Sequence, residues 1–108
     1  MGYAVTNCTP DLTGCWAAVS YRRVEDLALK ADVSPGLVLG KAMAHELGHL
    51  LLGLAHSATG IMRAELDDGD FEPGRLPSLV FLAAQQERLR AALEAAIRRD
   101  QVARTLKP

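Results

Sequence analysis

The segment 44–63, AHELGHLLLGLAHSATGIMR, contains all three histidines of this 108-residue chain. His45 and His49 are four residues apart, so on an α-helix their imidazoles lie on one face, about one turn from each other. Glu46 follows His45 directly and points to the side of that pair, where its carboxylate can reach a water without becoming a metal ligand. Two histidines at this spacing with a neighbouring glutamate are the helical pattern of a zinc site that carries its own general base.

A third ligand is predicted just beyond this helix. Gly53 follows His49 by about one turn, and a glycine there can end a helix in a left-handed conformation and reverse the chain. The reversal could return His56 to the same point, and three protein ligands leave a fourth position open, as in catalytic zinc sites. If His56 does not reach the metal, Glu65 and Glu72 are the downstream carboxylates that could replace it.

The segment resembles the extended zinc signature and methionine turn of the metzincin metallopeptidases. The residues that carry the resemblance are His45, Glu46, His49, Gly53, His56 and Met62. Within that clan the segment is most similar to the matrixins, since Gly48 precedes the second histidine and Ser57 follows the third. It departs from them by one residue, because three leucines at 50–52 stand between the second histidine and the glycine, where the clan has two residues.

The resemblance implies a zinc ion held by His45, His49 and His56, with Glu46 as the general base and Met62 as a packing floor beneath the metal. The additional helical residue turns the exit from the helix by roughly 100°. The turn that follows must therefore be re-aimed if the third imidazole is to reach the ion.

Local signals predict the other elements. Residues 2–7 and 16–21 are predicted as strands, and residues 22–31 as a helix with Ser20 as its N-cap. Ser34 and Pro35 suit the cap and first position of the metal-carrying helix, which is predicted over 35–52, apolar over most of its surface and therefore buried. Ser78 is predicted to cap a long C-terminal helix reaching about residue 104. Its expected packing face contains Leu79, Leu82, Leu89, Leu93 and Ile97.

These elements predict an α+β fold with a short N-terminal β segment, a buried active-site helix, a methionine turn and a long C-terminal helix. We expect one metzincin-like domain over residues 1–108, with an upper part at about 1–53 and a lower part at about 54–108. The 34 residues before Pro35 leave room for a reduced N-terminal sheet. Because two strands alone are marginal in water, a second copy of the chain could cover their edges in a homodimer.

Composition narrows the choice of partners. Hydrophobic residues make up 49% of the chain, charged residues 23%, and the net charge is −1, which favours a globular domain without broad attraction to nucleic acid or anionic membranes. The start of the chain lacks the basic region and apolar core of a signal peptide, and no apolar run is long enough to span a bilayer. A disulfide between Cys8 and Cys15 would favour an exported protein, and two unpaired thiols are the equal alternative.

The expected function is that of a zinc-dependent endopeptidase acting on peptides or proteins. In that mechanism Glu46 accepts a proton from the attacking water and passes it to the leaving nitrogen. The substrate is expected to lie extended along an edge strand, for which Ala17, Ala18 and Val19 are the candidates. Residues just past Met62 would form the wall of a side-chain pocket, as the resemblance implies.

Two other functions fit parts of the pattern. Some bacterial ribosomal-RNA-processing endoribonucleases carry H-x3-H-x5-H, whereas this chain has H-x3-H-x6-H, has Glu46 where those enzymes usually have glycine, and lacks a basic surface. A metzincin remnant that binds zinc without catalysis is the other alternative, because a substrate cleft needs the upper sheet.

Overall fold

The computed structural model describes residues 1–5 and 14–106, which form an α+β fold with a two-stranded sheet and three α-helices. The strands are β1 (Gly2–Val5) and β2 (Trp16–Val19), and the helices are α1 (Tyr21–Ala31), α2 (Pro35–Leu52) and α3 (Ala83–Thr105). Two 3₁₀ helices, Asp68–Phe71 and Leu76–Ser78, lie between α2 and α3. The α+β class and the long C-terminal helix predicted from the sequence are confirmed. No helix in the described ranges has the length and apolar character needed to cross a membrane.

The sheet is antiparallel and lies against α2. Gly2 pairs with Val19 and Val5 with Trp16, so alternation along the strands sends Gly2 and Val19 to the side that faces the helix. Tyr3 and Trp16 lie on the other side with their rings 5.3 Å apart in a T-shaped contact. A Cβ atom on Gly2 would stand 3.1 Å from Cγ of Glu46, so glycine allows this close approach of strand and helix.

The strand ends differ partly from the prediction. β2 stops at Val19 because Ser20 already serves as the N-cap of α1. The predicted continuation of β1 to residue 7, and Cys8 with its predicted pairing to Cys15, lie outside the described residues.

The boundaries of α1 and α2 follow from local caps. The Ser20 hydroxyl accepts the N–H of Arg23 at 3.4 Å, and the Ser34 hydroxyl accepts the N–H of Leu37 at 3.2 Å. Gly53 ends α2 with φ 95° and ψ −176°, which is an extended conformation at positive φ and not the left-handed helical one expected. Such a conformation is almost confined to glycine. The predicted range of α2 is confirmed, and its stop depends on the residue type at 53.

The hydrophobic core lies between α1, α2 and the segments that follow α2. Its buried members are Val24, Ala28, Val38, Ala42, Ile61, Met62, Phe71 and Leu79. α2 is less completely buried than predicted, since Met43 and Leu47 are 48% and 51% exposed. These two side chains stand on the face of α2 opposite the buried histidines, away from the sheet and α1.

α3 begins later than the sequence predicted. Ser78 ends the second 3₁₀ helix and does not cap α3. The chain beyond it is held outside the helix because the Val80 carbonyl accepts the N–H of Ile61 at 3.0 Å. The cap is supplied instead by Gln85, whose side-chain oxygen accepts the N–H of Leu82 at 2.8 Å. The prediction of Ser78 as the cap is therefore wrong.

The packing face of α3 also differs from the prediction. Ala96 is its buried residue in the described range, whereas Leu82, Leu93 and Ile97 are 38%, 44% and 56% exposed. The molecule measures 54 × 28 × 20 Å, and a helix of 23 residues is about 34 Å long. Much of α3 therefore extends past the core, with Leu89 half-buried and Leu93 and Ile97 exposed.

Candidate metal centre

Three imidazoles converge at the open side of α2. His45 and His49 stand on the helix and are buried, and His56 stands on the loop after Gly53 and is exposed. One candidate ligand atom from each of the three side chains lies within 4.8 Å of the others. The structure thus brings together the three histidines predicted from the sequence, including the one made doubtful by the longer helix.

Backbone carbonyls orient the two helical imidazoles. Nδ1 of His45 lies 2.6 Å from the carbonyl oxygen of Ile61, and Nδ1 of His49 lies 2.9 Å from that of Gly53. A carbonyl oxygen can only accept, so each Nδ1 carries a proton, and in a neutral ring Nε2 then presents a lone pair. The two Nε2 atoms are 3.1 Å apart, and in neutral rings no proton lies between them. This arrangement is what a cation requires, and metal-ligating histidines commonly donate their other N–H in this way.

The ring centroids are spaced nearly as they would be around one metal ion, and the ligand atoms, which lie within 4.8 Å of one another, would draw closer together on binding it. Around a tetrahedral zinc ion with metal–nitrogen distances near 2.0–2.1 Å, ligand nitrogens lie about 3.3 Å apart and ring centroids about 5 Å apart. The ring centroids of the three histidines are 4.7, 4.8 and 5.5 Å apart. These residues could therefore hold one metal ion through three imidazoles, while the geometry leaves the identity of the ion open.

The environment of His56 favours the form that binds metal. Partial removal from solvent lowers the pKa of His56 from its ordinary value, the neighbouring His49 and His45 lower this pKa further, and Glu46 acts in the opposite direction. A lowered pKa keeps the imidazole neutral near pH 7, and a neutral imidazole is the form that coordinates a cation.

Glu46 is a buried carboxylate beside the cluster. It is 6% exposed, and its Oε2 is a buried atom without a hydrogen-bond partner in the part of the chain that the structure describes. Its Oε1 lies 4.0 Å from Nε2 of His45, which is too far for a hydrogen bond. An unsatisfied buried polar atom costs about 1–3 kcal/mol or more. This oxygen can therefore accept a hydrogen bond beside the three histidines.

The loop carrying His56 folds back through its own backbone. The N–H of Ser57 donates to the carbonyl of Met62 at 2.9 Å, and Gly60 adopts φ 80° between them. A Cβ atom on Gly60 would lie 2.7 Å from the carbonyl oxygen of Val80, so a larger residue would push the loop from its support. This closed turn fixes the backbone directly after His56.

Met62 lies behind the turn of α2 that carries His45 and His49. It is 1% exposed, and a Cβ atom on Gly48 would stand 2.5 Å from its sulfur. The absence of a side chain at Gly48 therefore makes room for Met62 directly before His49 in the helix. The sequence predicted Met62 near the site, and the structure places it in the core there.

A cleft of about 760 Å³ opens at the cluster. Its walls come from β1, from the side of α1 that carries Arg23 and Lys30, and from residues 64–66. The expected substrate strand, Ala17 to Val19, belongs to β2, whereas the strand that lines the cleft is β1. Glu65 borders the cleft. In the described residues, the cluster of side chains that could hold a metal ion consists of the three histidines and includes neither Glu65 nor Glu72.

The wall after Met62 is ordered by ion pairs around one buried carboxylate. Arg63 donates to Oδ2 of Asp70 at 2.7 Å, the N–H of Asp67 donates to the same oxygen at 2.8 Å, and Arg75 lies 3.8 Å from Oδ1. Asp70 is only 4% exposed. The arginine partners of Asp70 are not recognisable from their spacing in the sequence, since they meet it only in the folded chain.

Two residues of α3 that the sequence did not single out also contact the site. Gln85 donates from Nε2 to the hydroxyl of Ser57 at 3.1 Å, and Arg88 donates to the carbonyl of Leu52 at 3.0 Å. No signal in the sequence marks Gln85, because the capping-box signature requires Ser or Thr at the N-cap and Leu82 stands there.

No protein-family model, curated protein or solved structure matches this chain. The function of the protein must therefore be inferred from the residues of the site and their geometry.

Proposed function

We propose that this protein is a zinc-dependent endopeptidase of the metzincin type with Glu46 as its general base. The observation that carries the proposal is the unpartnered buried oxygen of Glu46 beside three convergent imidazoles at the floor of a cleft. Three neutral imidazoles with room for a further ligand suit zinc better than magnesium or calcium, which prefer oxygen. Met62, buried against Gly48, supports a methionine turn beneath the metal.

The residues divide the chemistry between them. A zinc ion held by the three histidines would polarise a peptide carbonyl and lower the pKa of water to near 7. Glu46 would remove a proton from the attacking water and deliver it to the amide nitrogen, so that the C–N bond breaks into a carboxylate and an amine. The carbonyls of Ile61 and Gly53 would hold the imidazoles of His45 and His49 in their ligating orientation.

The substrate would bind as an extended peptide along β1. In the described residues β1 pairs with β2 on one side, and β1 also borders the cleft. An unpaired strand edge offers N–H and C=O groups to an added strand. We therefore propose Gly2–Val5 of β1, and not Ala17–Val19 of β2, as the strand that binds the substrate. Residues 64–66 would meet the substrate side chain next to the cut.

The test combines metal content with digestion of a mixed peptide pool. Purified protein is expected to hold about one zinc ion per chain and to cleave internal peptide bonds. Glu46→Gln keeps the shape of the side chain but removes the base, and general-base catalysis contributes about 10²–10⁴-fold. This variant should therefore retain the metal and lose cleavage by that factor. Cleavage at the wild-type rate by Glu46→Gln would refute the assigned role.

Metal binding without catalysis is the second candidate, and one observation favours it. The sheet in the described residues has only two strands, so it offers a substrate little surface beside the cleft. In that case the protein would hold stoichiometric metal, and neither the wild type nor Glu46→Gln would cleave any member of the peptide pool.

A further inference from the structure

We infer that Gln85, on α3, is a positioning residue for the third metal ligand, His56. The inference rests on the proposed metal centre and assigns a role to a side chain outside it. Gln85 would act through Ser57 on the backbone that presents the His56 imidazole, without touching the metal.

His56 needs such support more than the other two ligands do. His45 and His49 are carried by a buried helix, and each ring is hydrogen-bonded through Nδ1 to a carbonyl. The ring of His56 has contacts with the two other imidazoles but no hydrogen bond within residues 1–5 and 14–106. It is also exposed. The position of this imidazole is therefore set by the backbone of its loop.

Gln85 holds that backbone at the residue next to His56. Its side-chain oxygen accepts the N–H of Leu82, which fixes the amide orientation and turns Nε2 towards the loop. Nε2 donates to the Ser57 hydroxyl at 3.1 Å, and this hydroxyl in turn donates to the carbonyl of Thr59 at 2.8 Å. The cap of α3 and the loop of the third ligand are thus joined through one amide.

A second contact from α3 restrains the other end of the same loop. Arg88 lies three residues beyond Gln85, on the same side of the helix, and donates to the carbonyl of Leu52 at 3.0 Å. Leu52 ends α2, where carbonyls have no intrahelical donor. The loop that begins after Leu52 is therefore tied to α3 at its start and again at Ser57, with His56 just before the second tie.

The test measures metal affinity on the full chain by competition of Zn²⁺ with a chromophoric chelator. Loss of a residue that orients a ligand typically lowers metal affinity 10–100-fold, and we expect about tenfold for Gln85→Ala because the effect passes through the loop. Gln86→Ala is the matched control, since Gln86 is the neighbouring glutamine and bonds the carbonyl of Phe81. Its zinc affinity should stay within about twofold of wild type, below the range expected for loss of an orienting partner.

A double-mutant cycle separates positioning from general destabilisation. Because Gln85 acts through His56, Gln85→Ala should change zinc affinity little in a His56→Ala background. The visible spectrum of the Co²⁺-loaded protein should shift in Gln85→Ala towards that of His56→Ala, and remain unchanged in Gln86→Ala. If Gln85→Ala fails to fold by circular dichroism, Ser57→Ala breaks the same link by removing a single oxygen and should give the same loss.

Wild-type affinity in Gln85→Ala, or an equal loss with and without His56, would overturn the inference. A wild-type chain that binds neither Zn²⁺ nor Co²⁺ would overturn it together with the metal centre. Failure of the proposed peptidase function is seen separately in the peptide digest, since a protein that binds metal and cleaves nothing still reports the affinities of the variants.

Discussion

The two halves of the candidate metal centre hold their imidazoles in different ways. His45 and His49 stand on a buried helix with their Nδ1 atoms bonded to carbonyls, whereas His56 stands on an exposed loop that is tied to α3. The first half depends on the helix and on two backbone carbonyls, those of Ile61 and Gly53. The second depends on a glycine stop and on a helix that begins nearly thirty residues later. A short motif can thus specify part of a site while the remainder depends on the packing of distant segments.

Loss of a single imidazole should have the greatest effect, and one variant in each half tests it. His49→Ala takes away a buried ligand and the partner of His45, so we expect zinc affinity to fall well beyond the roughly hundredfold upper value for orienting residues. His56→Ala should cost less, because two oriented imidazoles remain and water can fill the vacated position. Isothermal or chelator titration of both variants measures the difference. Equal losses would contradict the distinction between the two halves.

The pH dependence of metal binding sharpens the same comparison. Protons compete with metal for imidazole, so zinc affinity should fall as pH drops below about 6.5, by up to tenfold per pH unit for each ligand that becomes protonated. The lowered pKa of His56 keeps this ligand available to a lower pH than an ordinary histidine. Below the lowered pKa of His56, a plot of log affinity against pH should be steeper for wild type than for His56→Ala, which has one fewer imidazole to deprotonate. Equal slopes throughout the acidic range would show that His56 is not a ligand.

The pH dependence of stability without metal has a defined sign. Because the pKa of His56 is lower in the folded protein than in the unfolded chain, the unfolded chain binds more protons in the window below about 6.5. The His56 imidazole therefore leaves the free energy of unfolding unchanged above that window and lowers it as pH falls through the window. The contribution is expected to be small, since the side chain is exposed to solvent screening. Urea unfolding of metal-free wild type and His56→Ala at pH 7.5 and 5.5 measures it.

Gly53→Ala should disturb the loop half and leave the helix half intact. No atom would clash with the added Cβ, so the effect comes from backbone strain at φ 95°, about 1–3 kcal/mol. Gly40→Ala is the matched control, since Gly40 lies inside α2 with open space around it and should gain about 0.5–1 kcal/mol in helix stability. Denaturant unfolding of the metal-free proteins should therefore move in opposite directions. Destabilisation by both would indicate that α2 itself, and not its stop, is sensitive.

Local signals in the sequence were sufficient for the elements around the site. Ser20 and Ser34 cap α1 and α2 as predicted, and Gly53 ends α2, because capping involves groups only three or four residues apart. The start of α3 was missed for the opposite reason. Serine is a good cap wherever the chain is free to begin a helix, but Val80 is held by Ile61, and the helix starts only after that bond.

The exposed faces were also beyond local reasoning. The sequence predicted α2 to be apolar over most of its surface and α3 to carry an apolar face, but neither pattern says which residues find a partner. Leu93 and Ile97 remain exposed because the described residues place no layer against them. β1 lines the cleft in place of β2 because the way the sheet packs on the rest of the fold decides which strand borders the site.

The sequence alone was enough to place His45, Glu46 and His49 together, because residues four apart on an α-helix lie on the same face about one turn from each other. Tertiary structure alone decided that His56 returns to them, that Met62 lies behind Gly48, and that Glu46 keeps an unpartnered oxygen. Each of these depends on where a distant segment packs: the turn on Val80 and Gln85, the buried carboxylate on the close approach of β1. Spacing along the chain sets angles within a helix, whereas only packing sets which groups face the space beside it.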